Sequence, residues 1–345
     1  MQQSLFNLSS WRSLDIAEKQ SLQAQASYDL AQQQLIVRVA NAYFAVLSSL
    51  DDLEFVQAEK RAIERQLEQT KQRFDVGLSA ITDVHEAQAQ YDSVLADEVL
   101  AQNNLTNSFE ALREITGTEH HELSQLDTQK FKASSTDESV DTLLESAKNQ
   151  NLDLLAARIS QDIARDSISL ADAKNLPSVS LDAGYTLMQE HDDDNSYRDI
   201  YDPINNATVG LTLSVPLYTG GKITSETKQA EYSYVQASQQ LEATYRNVVK
   251  NVHAYYNNIN ASIGAIKAYQ QTVVSAKSAL EATEAGFDVG TRTIVDVLDS
   301  TRRLYEVNRN LSNSRYDYIL NRLKLRQTIG TLSEQDILEI NANLK

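Results

Sequence analysis

This chain says the same thing twice, and that repeat constrains its fold more than any other feature. Arg73-Phe74-Asp75-Val76-Gly77 is followed by Ile81-Thr82-Asp83-Val84, and Gly286-Phe287-Asp288-Val289-Gly290 is followed by Ile294-Val295-Asp296-Val297. Gly77 and Gly290 lie 213 residues apart. Upstream the register continues at 212: Leu5-Phe6 matches Leu217-Tyr218, and Ala42-Tyr43-Phe44 matches Ala254-Tyr255-Tyr256. Downstream, Thr116-Gly117-Thr118 matches Ile329-Gly330-Thr331. A repeat of this length means one architecture built twice, so every shorter motif is read inside it.

Only 3 Pro and 10 Gly occur in 345 residues, which argues against an all-β or loop-rich fold. With Ser9 or Ser10 as N-cap, helical pattern runs to about Arg73; in the second copy it runs from about Lys222 to about Ala285. A helix of that length reaches roughly 95 Å at 1.5 Å per residue. Such tracts belong to coiled coils or helical tubes rather than ordinary globular helices. Apolar and small residues recur from Tyr234 through Ala237, Leu241, Tyr245, Val248, Val252, Tyr255, Ile259 and Ile263 to Ile266. Their spacing of about 3.56 residues lies between the straight-helix and heptad periods, so the helices are expected to be nearly straight with mild supercoil. Much of each face is polar, as in a wall wetted on at least one side.

Gly77 and Gly290 stop the long helices, where a left-handed cap is favoured. The next helices are predicted over 81–116 and 293–329, making each copy a long hairpin with a turn at its tip. Between the copies come a mixed stretch, 118–150, with a helix near 137–149, and a further helix over 151–175. After Pro177 the period changes to two. Val179, Leu181, Ala183, Tyr185 and Leu187 alternate with polar or small residues, as do Val209, Leu211, Leu213 and Val215. Two strands of about ten residues, apolar on one face, fit either a β-sandwich or a tilted crossing of the outer membrane. The polar loop from Glu190-His191-Asp192-Asp193-Asp194 to Pro203 is expected at the far end, away from the helices.

The net charge of −17 disfavours a nucleic-acid partner. No run of about 18 apolar residues marks a membrane-spanning helix. No Cys is present, which excludes a disulfide framework and a thiolate metal site. The histidines His85, His120, His121, His191 and His253 lack zinc-ligand spacing, and Asp192 to Asp194 lack the twelve-residue calcium-loop order. No Ser/His/Asp set, phosphate-binding loop or dinucleotide fingerprint occurs. Neither catalysis nor a cofactor is expected. Met1-Gln2-Gln3 leads straight into Ser4-Leu5-Phe6 without a signal peptide; alone this reads as cytoplasmic, but the repeat places Leu5-Phe6 partway into the first unit.

The paired tips, the long hairpins, and strands entered through Leu176-Pro177-Ser178 and left through Val215-Pro216-Leu217-Tyr218-Thr219-Gly220-Gly221 resemble the TolC family of outer-membrane efflux and secretion channels. The run from Val289 to Asp299 is the most specific part of that resemblance. It implies a mainly α fold with a small β part: a homotrimeric α-barrel of long hairpins in the periplasm, a mixed equatorial belt, and a β-barrel in the outer membrane. This chain supplies two of the family's four strands per subunit. The implied segments are 1–8, a stub of barrel strand; 9–117, the first hairpin; 118–150, equatorial; 151–175, a helix; 176–216, the strands with their external loop; 217–330, the second hairpin; and 331–345, equatorial. The family's first two strands, signal peptide and polar tail have no counterpart here, so the chain is expected to be part of a longer product. The implied partners are a periplasmic adaptor, an inner-membrane efflux pump or ABC secretion transporter, and outer-membrane lipid.

Asp296 and Asp299 are spaced i, i+3 and share a helix face; spacing alone favours a solvated helix start, because acids suit a first turn. The resemblance implies instead two stacked carboxylate rings at the pore constriction. It also implies a gate latch in which Arg292 bonds Thr82 and Asp83 of the neighbouring subunit, and Arg315 reaches backbone near Gly77 across the boundary. Phe287 stands where relatives carry a tyrosine that bonds Asp83, so one latch is absent and a less firmly closed state is expected. Gly77, Leu78, Val84, Gly290, Thr291 and Val297 would form grooves for adaptor tips, although two helix stops suffice to explain them. Trp11 is equally a membrane-interface anchor or core packing. The rival function is a periplasmic coiled-coil scaffold or adaptor without a pore; an adaptor should carry a Gly-rich β-domain, and none is present.

Overall fold

The computed structural model describes residues 1–136, 138–188 and 204–345. The loop with His191 and Asp192 to Asp194 lies outside them. The elements in order are β1 (Gln2–Phe6), α1 (Leu8–Asp75), α2 (Ile81–Thr116), α3 (Val140–Gln150), α4 (Leu152–Ala173), β2 (Ser178–Met188), β3 (Ile204–Ser214), α5 (Lys222–Asp288), α6 (Ile294–Ile329) and α7 (Glu334–Asn341). Contacts divide the chain into two units. One comprises Met1–Asp29 and Leu152–Arg246, the other Leu30–Asn151 and Asn247–Lys345, so α1 and α5 contribute to both.

The first unit holds a three-stranded antiparallel sheet in the order β1-β2-β3. Sequence reasoning led to two strands and a stub; the stub is a paired strand, with Gln2 opposite Asp182 and Phe6 opposite Val179 across a bulge. In the β2–β3 ladder Val179 faces Leu213, Leu181 faces Leu211 and Ala183 faces Val209. Period-two alternation therefore puts these pairs on one face. That face is bare: Tyr185, Leu187, Val209, Leu211 and Leu213 are all exposed. On the other face Asp182 accepts from Ser180 Oγ (3.2 Å) and Thr212 Oγ1 (3.0 Å). Trp11 meets Phe6 edge-on at 5.6 Å and is 56% exposed, which removes it from the core. The α1 helix begins on Asn7, whose Oδ1 accepts from Ser10 N at 3.2 Å, rather than on Ser9 or Ser10. Asparagine and serine cap about equally well, so the choice of Asn7 follows from where the strand ends at Phe6.

Polar pairs join the helices of this unit beside buried Ile16, Leu154 and Ile223. Lys19 pairs with Asp166 at 2.6 Å and Lys174 with Glu226 at 2.9 Å; Thr227 donates to Asp172 at 2.9 Å, and Gln161 to Ser238 at 2.9 Å.

The second unit has an apolar core of its own. Leu53, Val56, Ile63 and Leu67 of α1 pack with Ala87, Val94, Ala101, Leu105 and Leu112 of α2, with Phe287 of α5, and with Ile294, Val297 and Leu298 of α6. The α2 residues advance mostly by seven, and Val252, Ile259 and Ile266 of α5 repeat at seven as well. This is heptad packing, in which buried side chains interlock along a seam. Ile63 is 0% exposed; Ile63→Ala is expected to destabilise the protein by about 2–5 kcal/mol through lost burial and a cavity. A thermal melt reads this directly, and an unchanged midpoint would contradict the packing.

A second cluster joins Val37 and Ala40 to Leu323 and Leu332, with Ile337 and Ile340 of α7 against it. A buried Asp336 pairs with Arg326 there. Between α1 and α6 runs a polar seam. Ser312 Oγ and Tyr316 Oη (2.7 Å) both donate to Asp51 Oδ2, and Ser48 Oγ donates to Asn313 Oδ1 at 2.7 Å. The Arg309 guanidinium lies 2.9 Å from Asp52 and 3.4 Å from Glu59. Burial pushes the Glu59 carboxyl above its ordinary value, and Arg309 opposes that shift.

Candidate gate at the hairpin tips

Both tips close with the same backbone. Gly77 (φ +78°) follows α1, Leu78 N donates to Arg73 O at 2.8 Å, and Gly77 N donates to Phe74 O at 2.9 Å. Gly290 (φ +76°) follows α5, Thr291 N donates to Gly286 O at 2.8 Å, and Gly290 N donates to Phe287 O at 3.1 Å. A left-handed residue is what lets the chain fold back on the last turn, and glycine takes it without a Cβ clash.

The helices leaving the tips are capped by equivalent acids. Asp83 Oδ2 accepts from Ser79 Oγ (2.7 Å) and Ala80 N (3.2 Å). Asp296 Oδ2 accepts from Thr293 N and Thr293 Oγ1, both at 2.9 Å, while Thr293 Oγ1 accepts from Asp296 N at 3.3 Å. The two acids thus do one local job, satisfying free N–H groups of a first turn. The Thr293 bonds hold the Asp296 carboxyl below the usual carboxylate range, with a smaller pull from Arg292. One turn on, Asp299 is exposed and pairs with Arg302 at 2.9 Å.

The other residues singled out from the sequence divide by burial. Val76, Leu78 and Val289 are each at least 70% exposed, and Thr82, Thr291 and Arg292 are exposed as well. Val84 is half-buried. Val297 is 0% exposed, packed in the core beneath the tip, so it shapes the loop rather than meeting a partner. Arg315 is far from the tips. It lies half-buried near Tyr316 and Asp51, its charge disfavoured chiefly by burial. Asp51 is 26 residues from Gly77 on α1, about 40 Å along the helix at 1.5 Å per residue. An arginine side chain spans a small fraction of that, so within one protomer Arg315 does not reach Gly77. His85 and His253 are exposed on separate helices.

Sequence reasoning missed two contacts. Arg73 lies over the Phe287 ring, its guanidinium carbon 4.7 Å from the ring centroid. A Cβ at Gly286 would come within 2.7 Å of Arg292 Cγ, so glycine there makes room for that arginine. Both were signalled by the one letter in which the twin sentences differ at their start: Arg73 in the first, Gly286 in the second.

Residues 1–118 and 143–331 match the model of the family described as outer membrane efflux protein. The chain is 66% identical to outer membrane protein TolC of Vibrio cholerae serotype O1 over 343 residues, covering 99% of this chain and 78% of that protein. It is 48% identical to outer membrane protein TolC of Escherichia coli K12 over 345 residues, covering 98% of this chain and 70% of that protein. Its fold superposes on the Campylobacter jejuni CmeC outer membrane channel with a TM-score of 0.81 at 14% identity, over 100% of this chain and 74% of that one. No described helix is long and apolar enough to cross a membrane, while the sheet bares an apolar face of the kind that lipid covers. With so much of its length matched, this chain belongs to the outer membrane efflux protein family as a TolC-type outer-membrane channel, extending into the periplasm, that transports without catalysing a reaction.

Proposed function

We propose that three copies of this chain form an exit duct for efflux and type I protein secretion, closed at the hairpin tips and opened by an iris-like separation of the hairpins. The observation that carries this reading is the placement of Asp296 and Asp299 on one face of α6, directly after a tip that repeats the geometry of its twin. Three subunits would then ring the constriction with six carboxylates. At about 7 Å and an effective dielectric near 20, each like pair repels by roughly 2–3 kcal/mol, a field that concentrates cations. Arg292 bonds Thr82 and Asp83 of the neighbouring subunit when the entrance is shut. The segments 9–117 and 217–330 are the periplasmic hairpins, 118–150 and 331–345 the equatorial belt with the 151–175 helix beside it, and 1–8 and 176–216 the barrel part. Recording from the purified protein in planar bilayers tests the reading: a cation-selective conductance blocked from the tip side is expected, and an anion-selective or absent conductance rejects it.

Gly77, Leu78, Val84, Gly290 and Thr291 dock a periplasmic adaptor, which couples the duct to an inner-membrane efflux pump or ABC secretion transporter. Gly77→Leu or Gly290→Leu forces a branched side chain into a left-handed site at about 1–2 kcal/mol and fills the groove. Site-specific crosslinking to the adaptor should fall to background in either variant; undiminished crosslinking would place docking elsewhere. Phe287→Tyr adds a hydroxyl that can reach Asp83, worth about 0.5–1.5 kcal/mol for the closed tip. Its open probability should drop several-fold, and an unchanged value would remove Asp83 from the latch. The rival reading, a scaffold without a pore, leaves the bare apolar sheet face unexplained.

A further inference from the structure

We propose that Arg73, lying across the Phe287 ring, is the latch that ties the first hairpin to the second within one protomer; the proposal rests on the duct reading above. The two residues sit on different hairpins, each in the last turns of its long helix. Phe287 is 6% exposed. Arg73 also donates from Nη1 to Asp288 O at 3.4 Å, and its Nε is buried without a hydrogen-bond partner. A guanidinium that leaves a buried N–H unsatisfied is positioned by its contact with the ring rather than by a carboxylate. Two further rungs stand below it on the same helices: Gln69 donates to Asp288 Oδ1 at 2.8 Å, and Gln66 to Glu284 Oε1 at 3.2 Å. Splaying the hairpins breaks all three.

The chemistry of the top rung suits a contact that must open and re-form. A leucine on that ring would lose its burial on separation and resist it. Arginine exchanges the aromatic face for water, which hydrates the freed charge, and its stem still covers apolar surface. The ring that lacks the tyrosine hydroxyl is thus employed differently: its face, not its edge, holds the gate.

The chain has no Cys, so labels at Val76→Cys and Val289→Cys, both exposed positions, report tip separation without background. Pulsed electron-spin distance measurement on the purified protein, with labelled chains diluted among unlabelled ones, should give a narrow separation that broadens and lengthens in Arg73→Gln and in Phe287→Leu. Arg73→Lys, which keeps the charge but not the planar guanidinium, should fall between. In bilayers each of the first two variants should raise open probability about tenfold, the scale of a desolvated cation–π contact. The double variant should do no more than either alone, because both remove one contact. Unchanged label distances, or additive effects in the double variant, overturn the latch. A parent protein that shows no conductance refutes the duct, whereas conductance with variant-insensitive tips refutes only Arg73.

Discussion

Gly330→Ala should be the most damaging single methyl group that can be added to this protein, lowering stability by at least about 4 kcal/mol and preventing recovery of folded protein at ordinary growth temperature. Gly330 caps α6 at φ +81°, where an L side chain is already strained by about 1–2 kcal/mol. A Cβ there would also run into the carbonyl oxygen of Gln150, and backbone cannot rotate aside as a side chain can. The contact exists because α3 ends against the end of α6: Asn151, 4% exposed, donates from Nδ2 to Thr328 O at 2.7 Å. The repeat supplies its own control. Gly117 caps α2 at φ +72° with nothing within 4 Å of a built Cβ, so Gly117→Ala should lose only the strain. Thermal unfolding of the two variants side by side checks this; equal losses would show that the cap conformation, and not the approach of Gln150, governs the site.

Removing the charges of Asp296 and Asp299 together should abolish block by divalent and trivalent cations, weakening it at least about a hundredfold while open-channel conductance changes little. The magnitude follows from converting a ring of six carboxylates into neutral amides, where each lost attraction at several ångströms is worth about a kcal/mol or more. The two acids should not contribute equally. Asp296 spends one oxygen on Thr293, whereas the carboxylate of Asp299 faces only Arg302 and water. Asp299→Asn alone should therefore weaken block more than Asp296→Asn, which also unties the cap of α6. The Thr293 bonds favour the ionised form of Asp296, which opposes loss of its share of the block on acidification. Single-channel titration with a multivalent cation gives all four values, and undiminished block in the double variant would move the constriction away from α6.

Periodicity and punctuation made the hairpins legible. Long, nearly Gly-free tracts ended at Gly77 and Gly290, and the structure ends α1 and α5 two residues before each, at Asp75 and Asp288. The strands were legible because Val179 to Leu187 and Val209 to Val215 alternate without interruption. Contacts between elements were not. Nothing local to Gln150 announces that its carbonyl abuts Gly330, and nothing local to Val297 separates a surface valine from a core one. The small helix α7 escaped notice because Glu334–Asn341 is too short for periodicity to rise above its polar surroundings; its burial comes from Leu323 and Val37, hundreds of residues away in part. At the gate the acids were visible as residue types, but their employment as caps depends on Ser79 and Thr293 standing just before the helix. Arg73 was passed over because a lone basic residue near a helix C-terminus already has an ordinary explanation in the helix dipole.

The seam between α1 and α6 has a mechanical meaning. Asp51, Ser312 and Tyr316 interlock at one height, and Arg309 grips Asp52 and Glu59 a turn or two away. Slipping one rod past the other by a helical turn would break the Asp51 bonds to Ser312 and Tyr316 together with the Arg309 pairs, so lengthwise creep is opposed along that line. Torque applied at one end of the pair is then expected to travel as rotation of a two-ply cable, so the proposed widening at the mouth would come from swivelling about the long axis instead of telescoping.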